Sequence, residues 1–386
     1  MTFTKRTPWL LAAVLTVGAA APCAAATDGV PAAGDSAEAN RLVRQLGSMD
    51  SAEREAADKA LQALGRSALG ALGNGVNSDN PEVRRRSRAL IELIDADAIA
   101  LRQLGWQVQA DESRPGRPIT NIIVQSVKVK PADLAALEKF PLLERLDLWG
   151  GSVSGGGLDH LKGLKHLQDL CLCSTDVKDS DLAALEGLTE LRRLTLCVVG
   201  ITDDGLKHLH GLNNLVYLGV SGPAATDAGL EHLKGLSNLG ALQLDGAAVT
   251  DAGLAKLEGL TGMVQLNLSR TKVTDRGLQH LKGMRALRML VLAGTEITDA
   301  GLPALSDLTE LRWLIVDGTK ISDAGLPALA GLTHLEMLTA CHTKITDAGL
   351  PALAKLHELQ TLATAGTKVT PDGLAELSRS LPKLRY

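Results

Sequence analysis

Apolar residues recur along this chain in a pattern that repeats every 24 residues. One unit reads LRWLIVDGTKISDAGLPALAGL, residues 311–332. In its first part Leu314 and Val316 alternate with outward-facing neighbours, which predicts a short strand. The hydroxyl and carboxylate of the later S-D or T-D pair are typical helix caps, so a short helix is predicted after them. The leading position is held in ten successive units by Leu143, Leu167, Leu191, Leu215, Leu239, Met263, Leu287, Leu311, Leu335 and Leu359.

Such a unit cannot bury its apolar side alone, so successive units must stack into a solenoid. Strands of neighbouring coils pair in parallel about 4.8 Å apart. Because helices are wider than strands, the stack is predicted to curve into a horseshoe with the strands on the concave face. One period before Leu143 lies Ile119, which extends the predicted α/β solenoid to eleven 24-residue coils over residues 119–386.

The N terminus has the pattern of a secretory signal peptide over residues 1–26. Lys5 and Arg6 precede an apolar run over residues 9–21, and an A-x-A cleavage site ends at Ala26. The run is too short to span a membrane, so no membrane span is expected and the mature protein is predicted to be exported, to the periplasm or the medium. Cys23 offers the alternative of a lipoprotein anchor, although Pro22 fits that signal poorly.

A linker is predicted over residues 27–34 and an all-α segment over residues 35–104. Asp50 with Glu53 forms a capping-box pattern, Gly65 is a helix stop, and Asn80-Pro81 begins a second helix. The Pro- and Gly-containing residues 105–118 are predicted to be a connector, with a first, capping strand around Trp106 and Val108.

Two resemblances follow from these motifs. REAADKALQALGRSALGALGN and NPEVRRRSRALIELI resemble HEAT-like helical modules. The LxxLxLxxTxITDxGLxxLxGL unit is similar to the leucine-rich-repeat family, in particular the ITDxGL subclass of bacterial exported proteins and of F-box proteins. The second resemblance covers about 270 residues. It implies a protein-binding scaffold whose concave face carries the recognition residues, and it implies no chemistry.

Hydroxyl and carboxylate side chains recur at fixed places in the coil. A threonine after each strand is expected to bond backbone groups of the neighbouring coil, and the T-D pairs are expected to cap helices rather than hold calcium. Pro303, Pro327 and Pro351 predict helices that begin late and stay short. The first threonine row comprises Thr175, Thr271, Thr295, Thr319, Thr343 and Thr367.

Composition narrows the classes of partner. The chain has 386 residues, of which 45% are hydrophobic and 2% aromatic, and its 44 acidic and 40 basic residues give a formal charge of -4. This balance gives no electrostatic reason to bind nucleic acid. A monomer is expected.

Catalytic motifs and cofactor sites are not recognised in the sequence, so no catalytic residue, metal or cofactor is predicted. The glycines of GGSVSGGGL, residues 150–158, are interpreted as a degenerate coil rather than a phosphate cradle. The histidines that recur at one helix position of several coils are interpreted as surface residues, and a zinc site formed by them is the disfavoured alternative. The basic face of Arg84, Arg85, Arg86 and Arg88 is expected to be solvated, with docking to an acidic surface as the alternative.

A possible thiol cluster is predicted on the strand face. Cys171 and Cys173 share one face of a strand, and Cys197 falls beside Cys173 on the next coil. Free thiols filling a groove, a soft metal site and a Cys173–Cys197 disulfide remain open.

The outward strand positions include a group of large apolar side chains at sites expected to be wet. Exposed apolar patches on monomers mark interaction surfaces, and aromatic residues are scarce in this chain. A protein or peptide partner is therefore predicted to bind there. The alternative is that strand propensity alone explains these residues, or that another part of the chain covers them. The predicted partner-binding residues are Trp149, Tyr217, Met289, Val291, Trp313, Ile315, Asp317 and Met337.

Two functions follow. The first is an exported, non-enzymatic scaffold that recognises a protein or peptide through its concave strand face. The alternative is a substrate-recognition or effector subunit in protein modification, as in F-box-like leucine-rich-repeat proteins.

Overall fold

The computed structural model describes residues 33–114, 116–125, 129–197 and 200–385. The predicted signal peptide, residues 1–26, lies outside the described residues, as do positions 27–32 of the predicted linker. The first helix already begins at Ala33. None of the described helices is long and apolar enough to cross a membrane.

Short strands and short helices alternate along most of the described chain. The α-helices are α1 (Ala33–Gln45), α2 (Ser51–Leu64), α3 (Leu69–Gly75), α4 (Pro81–Ile94), α5 (Ala96–Gln103), α6 (Asp203–Leu206), α7 (Asp227–Leu230), α8 (Asp251–Ala255), α9 (Asp275–Leu278) and α10 (Pro371–Ser380). The 3-10 helices cover Gly65–Ala68, Pro131–Lys139, Gly157–Leu161, Asp179–Leu185, Lys207–Leu209, Glu231–Leu233, Gln279–Leu281, Leu302–Leu305, Leu326–Leu329 and Asp347–Leu353. The strands are β1 (Gln107–Ala110), β2 (Ile119–Gln125), β3 (Arg145–Trp149), β4 (Asp169–Cys173), β5 (Arg193–Leu196), β6 (Tyr217–Val220), β7 (Ala241–Gln243), β8 (Gln265–Asn267), β9 (Met289–Val291), β10 (Trp313–Ile315), β11 (Met337–Thr339) and β12 (Thr361–Ala363).

The chain divides into two compact units. One holds α1 to α5, β1, β2 and residues 135–147; the other holds residues 129–134 and 148–385. In the first unit, the apolar sides of the helices enclose one cluster that includes Leu46, Leu61, Leu72 and Leu90. The predicted capping strand is present as β1, which pairs antiparallel with β2 so that Val108 faces Ile122.

The helix caps of the first unit agree with the sequence signals except at one residue. Asp50 accepts from the Ala52 N–H, and Asn80 caps α4 with Pro81 in the first turn. Gly65 ends α2 with a φ of 53°, which a side chain would disfavour. The capping box is wrong in its second half, because the Glu53 carboxylate accepts from Ser48 Oγ instead of closing back on Asp50.

In the second unit the strands from β4 to β12 run parallel, each paired with the next. Their register advances by one period, so that Leu290, Leu314 and Leu338 form consecutive rungs. All three leucines are fully buried. Each coil therefore adds one leucine layer to a continuous core, and each buried leucine contributes on the order of 2 kcal/mol.

The threonine row after the strands bonds differently from the expectation. Thr295 Oγ1 donates to the Leu292 carbonyl at 2.6 Å, within its own coil, and Thr271 and Thr319 repeat this bond to the carbonyl three residues earlier. The predicted ladder to the neighbouring coil is therefore wrong. Instead, the hydroxyl closes the turn at the end of the strand and gives the buried carbonyl there a hydrogen-bond donor.

The link between coils is made by the T-D pairs. Asp203 Oδ1 accepts from the Thr226 N–H at 2.8 Å and Oδ2 accepts from Thr226 Oγ1 at 2.6 Å, while the same Thr226 hydroxyl caps α7. Both carboxylate oxygens are occupied by the next coil, which supports the structural interpretation of the acidic row. The rungs are Asp179–Thr202, Asp203–Thr226, Asp227–Thr250, Asp251–Thr274, Asp275–Thr298, Asp299–Ser322, Asp323–Thr346 and Asp347–Thr370.

The ladder also explains the glycine of the TDxGL motif. A Cβ at Gly229 would lie far inside van der Waals contact of Asp203 Oδ1, and one at Gly253 would meet Asp227 in the same way. The aspartate of one coil and the glycine of the next therefore depend on each other.

Proline has the predicted effect in two of three coils. The 3-10 turns at Pro303 and Pro327 begin at the residue before the proline and span four residues. The prediction is wrong for Pro351, because there the helix starts earlier, at Asp347, with Thr346 as its cap and the proline inside.

Candidate binding surface

The strand face is the set of side chains that point away from the leucine core on β4 to β12. Alternation places Trp313 and Ile315 on this face, on either side of the fully buried Leu314. The ladder aligns Met289, Trp313 and Met337 in one row across three strands. Val291, Ile315 and Thr339 form the row beside it. The structure thus brings together the five apolar residues that the sequence singled out on β9, β10 and β11.

The expected exposure of this group is wrong for three of its members. Met289 is 3% exposed, Val291 4% and Ile315 7%. Trp313 and Met337 are half-buried. Side chains on parallel strands about 4.8 Å apart cover one another, so bulky neighbours remove each other from water even on an open face. The surface that a partner could touch is therefore centred on Trp313 and Met337.

Two charges beside this apolar group, those of Asp317 and Arg312, are paired within the protein. Asp317 accepts from the Cys341 N–H at 2.7 Å and from Thr339 Oγ1 at 3.0 Å. Arg312, which precedes β10, pairs with Glu336. An apolar partner segment could thus cover Trp313 without leaving a charge unpaired.

The other predicted binding residues lie elsewhere. Trp149, at the end of β3, is 47% exposed. Tyr217, on β6, is half-buried, and the Arg193 guanidinium lies 5.3 Å from the centre of its ring. Burial, followed by the nearby thiols, raises the pKa of Tyr217. Three strands separate Tyr217 from Trp313 in their shared sheet, so these residues do not form one patch with it.

The structure brings the three cysteines of the predicted thiol cluster together. Cys171 Sγ lies 3.2 Å from Cys173 Sγ, and Cys197 on the next coil also hydrogen-bonds Cys173. All three are free thiols. The neighbouring Cys171 is the main cause that raises the pKa of Cys173 to about 12, and Cys173 in turn raises the pKa of Cys197. Cys173 and Cys197 are therefore protonated at neutral pH and are weak nucleophiles.

The glycine-rich loop at residues 150–158 is occupied by a carboxylate of the same protein. Asp176 accepts from the Val153 and Ser154 N–H groups at 2.6 and 2.9 Å and from Ser152 Oγ at 2.6 Å. Burial opposes ionisation, but these hydrogen bonds together lower the pKa of Asp176 to about 2. The donors that a phosphate would need are engaged, which agrees with the interpretation as a modified coil.

Other candidate groups are also paired. His208 Nδ1 lies 2.5 Å from Glu186, and this contact lowers the pKa of the glutamate. Arg86 binds Asp58 and Glu82, so the predicted basic face of α4 is partly neutralised. Among residues 33–114, 116–125, 129–197 and 200–385, no group of three or more His, Cys, Asp or Glu side chains is arranged as a metal site.

One depression was not predicted from the sequence. It has a volume of about 300 Å³ and lies beyond the strand ends, between Cys197, Pro223 and the Asp245–Arg270 ion pair. Each of these residues occupies an ordinary position of its coil. The contact between Asp245 and Arg270, which are 25 residues apart, forms part of the wall, and the repeat pattern gives no signal for this contact.

Neither a protein-family model nor a curated protein sequence matches this chain. Among solved structures, an internalin (inlF) from Listeria monocytogenes str. 4b F2365 is 21% identical, with a TM-score of 0.50 over 69% of this chain and 86% of that chain. Internalin C2 (inlC2) from the same strain is 28% identical, with a TM-score of 0.42 over 54% of this chain and 82% of that chain. The first likeness, with the register of β4 to β12, confirms the predicted leucine-rich-repeat solenoid.

Proposed function

We propose that this protein is an exported, non-enzymatic scaffold that binds a protein or peptide through its strand face. The apolar row of Met289, Trp313 and Met337 carries the proposal. Large aromatic and methionine side chains are enriched at interaction surfaces, and truncation of a central Trp often removes most of the affinity. Catalysis is not required by this proposal, and we expect no turnover.

Trp313 has the properties of an anchor residue. It lies on the middle strand of the row, its neighbours Met289 and Ile315 are held by packing, and its own side chain remains partly accessible. Preorganised surroundings reduce the entropy cost of binding. The paired state of Asp317 and Arg312 favours an uncharged, apolar partner segment over a highly charged one.

The experiment is affinity purification from the exporting cell with wild type, Trp313→Ala and Met49→Ala. Met49 is the fully exposed apolar residue before α2 and serves as the matched control. The wild type and the control should retain the same specific partner, and Trp313→Ala should lose it while unfolding at the same urea concentration. If Trp313→Ala retained as much of the partner as the wild type, the proposed binding role of the apolar row would be contradicted.

Export is proposed on the pattern of residues 1–26. Mass spectrometry of the protein from the periplasm or the medium should show an N terminus at Thr27. A chain that starts at Met1 inside the cell would contradict export and would favour the alternative of a substrate-recognition subunit.

A further inference from the structure

We propose that Cys171 and Cys173 form a binding site for one soft, thiophilic cation, with Cu(I) as the ion to test. The two sulfurs lie 3.2 Å apart on one face of β4. Residues two apart on a strand point to the same side, so a single ion can reach both sulfurs after small rotamer changes. This site is independent of the proposed partner surface around Trp313.

A third thiol borders the pair. The register of β4 and β5 aligns Cys171 with Thr195, which brings Cys197 beside Cys173 on the next coil. The cluster is thus a compact group of sulfur ligands from adjacent coils.

The donor set selects a soft ion. Thiolates favour Cu(I) over the hard cations that prefer oxygen ligands. Asp169, the carboxylate on the same strand, already has a cationic neighbour, because it lies 3.8 Å from the Arg193 guanidinium. Zinc requires four ligands in its structural sites, and the described residues hold no such group. Cu(I) forms stable two-coordinate complexes, for which two sulfurs suffice.

Binding is an exchange of protons for the cation. Two thiols and one Cu(I) give one bis-thiolate complex and two protons, with no change of oxidation state. Metal binding to thiols releases their protons, so the affinity for the ion depends on pH. The same ion would tie together the sulfur atoms at the end of β4.

The test is a competition titration of the reduced full-length protein under anaerobic conditions, with Cu(I) held by the chromogenic chelator bicinchoninate. The wild type should withdraw one equivalent of Cu(I). The affinity of Cys171→Ser and of Cys173→Ser for Cu(I) should be at least 100-fold lower than that of the wild type. Cys341→Ser is the matched control, because Cys341 is a half-buried thiol after β11, and it should behave as the wild type.

Circular dichroism of each variant separates loss of binding from loss of folding. Cys171 is half-buried, so its variant should stay folded even if replacement of the buried Cys173 disturbs the coil. Failure of the wild type to withdraw Cu(I), or full binding by Cys171→Ser, would overturn the site. In protein purified without a reductant, every cysteine should titrate as a thiol after denaturation and removal of copper. Two missing thiols that return when Cys173 is replaced by Ser would mean that a disulfide occupies the cluster and would also overturn it.

Discussion

The carboxylate of Asp227 is bound at both oxygens by Thr250 of the next coil, through the N–H at 2.7 Å and the hydroxyl at 2.6 Å. The same hydroxyl caps α8 by accepting from the Ala252 N–H. One threonine therefore begins its own helix and fixes the preceding coil. Its repetition along the stack makes this pair the polar counterpart of the leucine layers.

Replacement of Asp227 by Ala should lower the free energy of unfolding by about 2 kcal/mol, because hydrogen bonds to a charged group contribute about 1.5–3 kcal/mol and the Thr250 N–H would lose its acceptor. Urea unfolding measures the change. Asp204→Ala is the control, since Asp204 is exposed and its carboxylate makes a surface ion pair with Lys207 at 3.4 Å, and it should change stability by less than about 0.5 kcal/mol. Equal unfolding curves for the two variants would show that the ladder is not stabilising.

Gly229→Ala should also destabilise the stack, by about 1–3 kcal/mol, because the new Cβ would collide with Asp203 and with Leu206 Cδ1 at 2.7 Å. Gly235→Ala meets no atom within 4 Å and should be nearly neutral. In the double variant with Asp203→Ala, part of the collision is gone, so the double variant should lose less stability than the sum of the losses of the two single variants. Strict additivity would contradict the dependence of the glycine on the aspartate.

The repeat could be predicted because its determinants lie within one period. The leucine spacing identifies strand, turn and core side, and the observed register keeps that period from β4 to β12. Partners across coils were harder to assign. Thr295 and Thr298 both follow the strand with similar polarity, and only the position of Asp275 in the preceding coil decides which of them bonds between coils.

The candidate surface could be predicted in position but not in exposure. Alternation places Met289, Val291 and Ile315 on the strand face, as observed. How far each is covered depends on the size of the neighbours in adjacent strands, which a one-dimensional pattern does not contain. The contact between Arg270 and Asp245 could not be predicted from the sequence for the same reason.

Acid should weaken the contribution of Asp176 in a defined range of pH. Its folded-state pKa of about 2 is below the ordinary value of 3.8, so its contribution is complete above about pH 4 and is lost as the pH falls through about 2. Because the carboxylate is exposed, solvent screening limits the effect to about 1 kcal/mol. Asp176→Asn should therefore unfold earlier than wild type in urea at pH 7, and the difference should shrink towards pH 2. A difference that stays constant over this range would mean that ionisation of Asp176 does not stabilise the loop.

The threonines after the strands allow a matched comparison. Thr271 and Thr175 are both buried, but Thr271 Oγ1 donates to the Leu268 carbonyl at 2.7 Å, whereas Thr175 Oγ1 has no hydrogen-bond partner among the residues that the structure describes. Thr271→Val should cost about 1 kcal/mol, because the carbonyl loses a buried donor. Thr175→Val should be neutral or stabilising, because a buried hydroxyl without a partner is exchanged for a methyl group. Urea unfolding of the two variants measures both values, and a loss at Thr175 as large as that at Thr271 would show that the Thr175 hydroxyl does have a partner in solution.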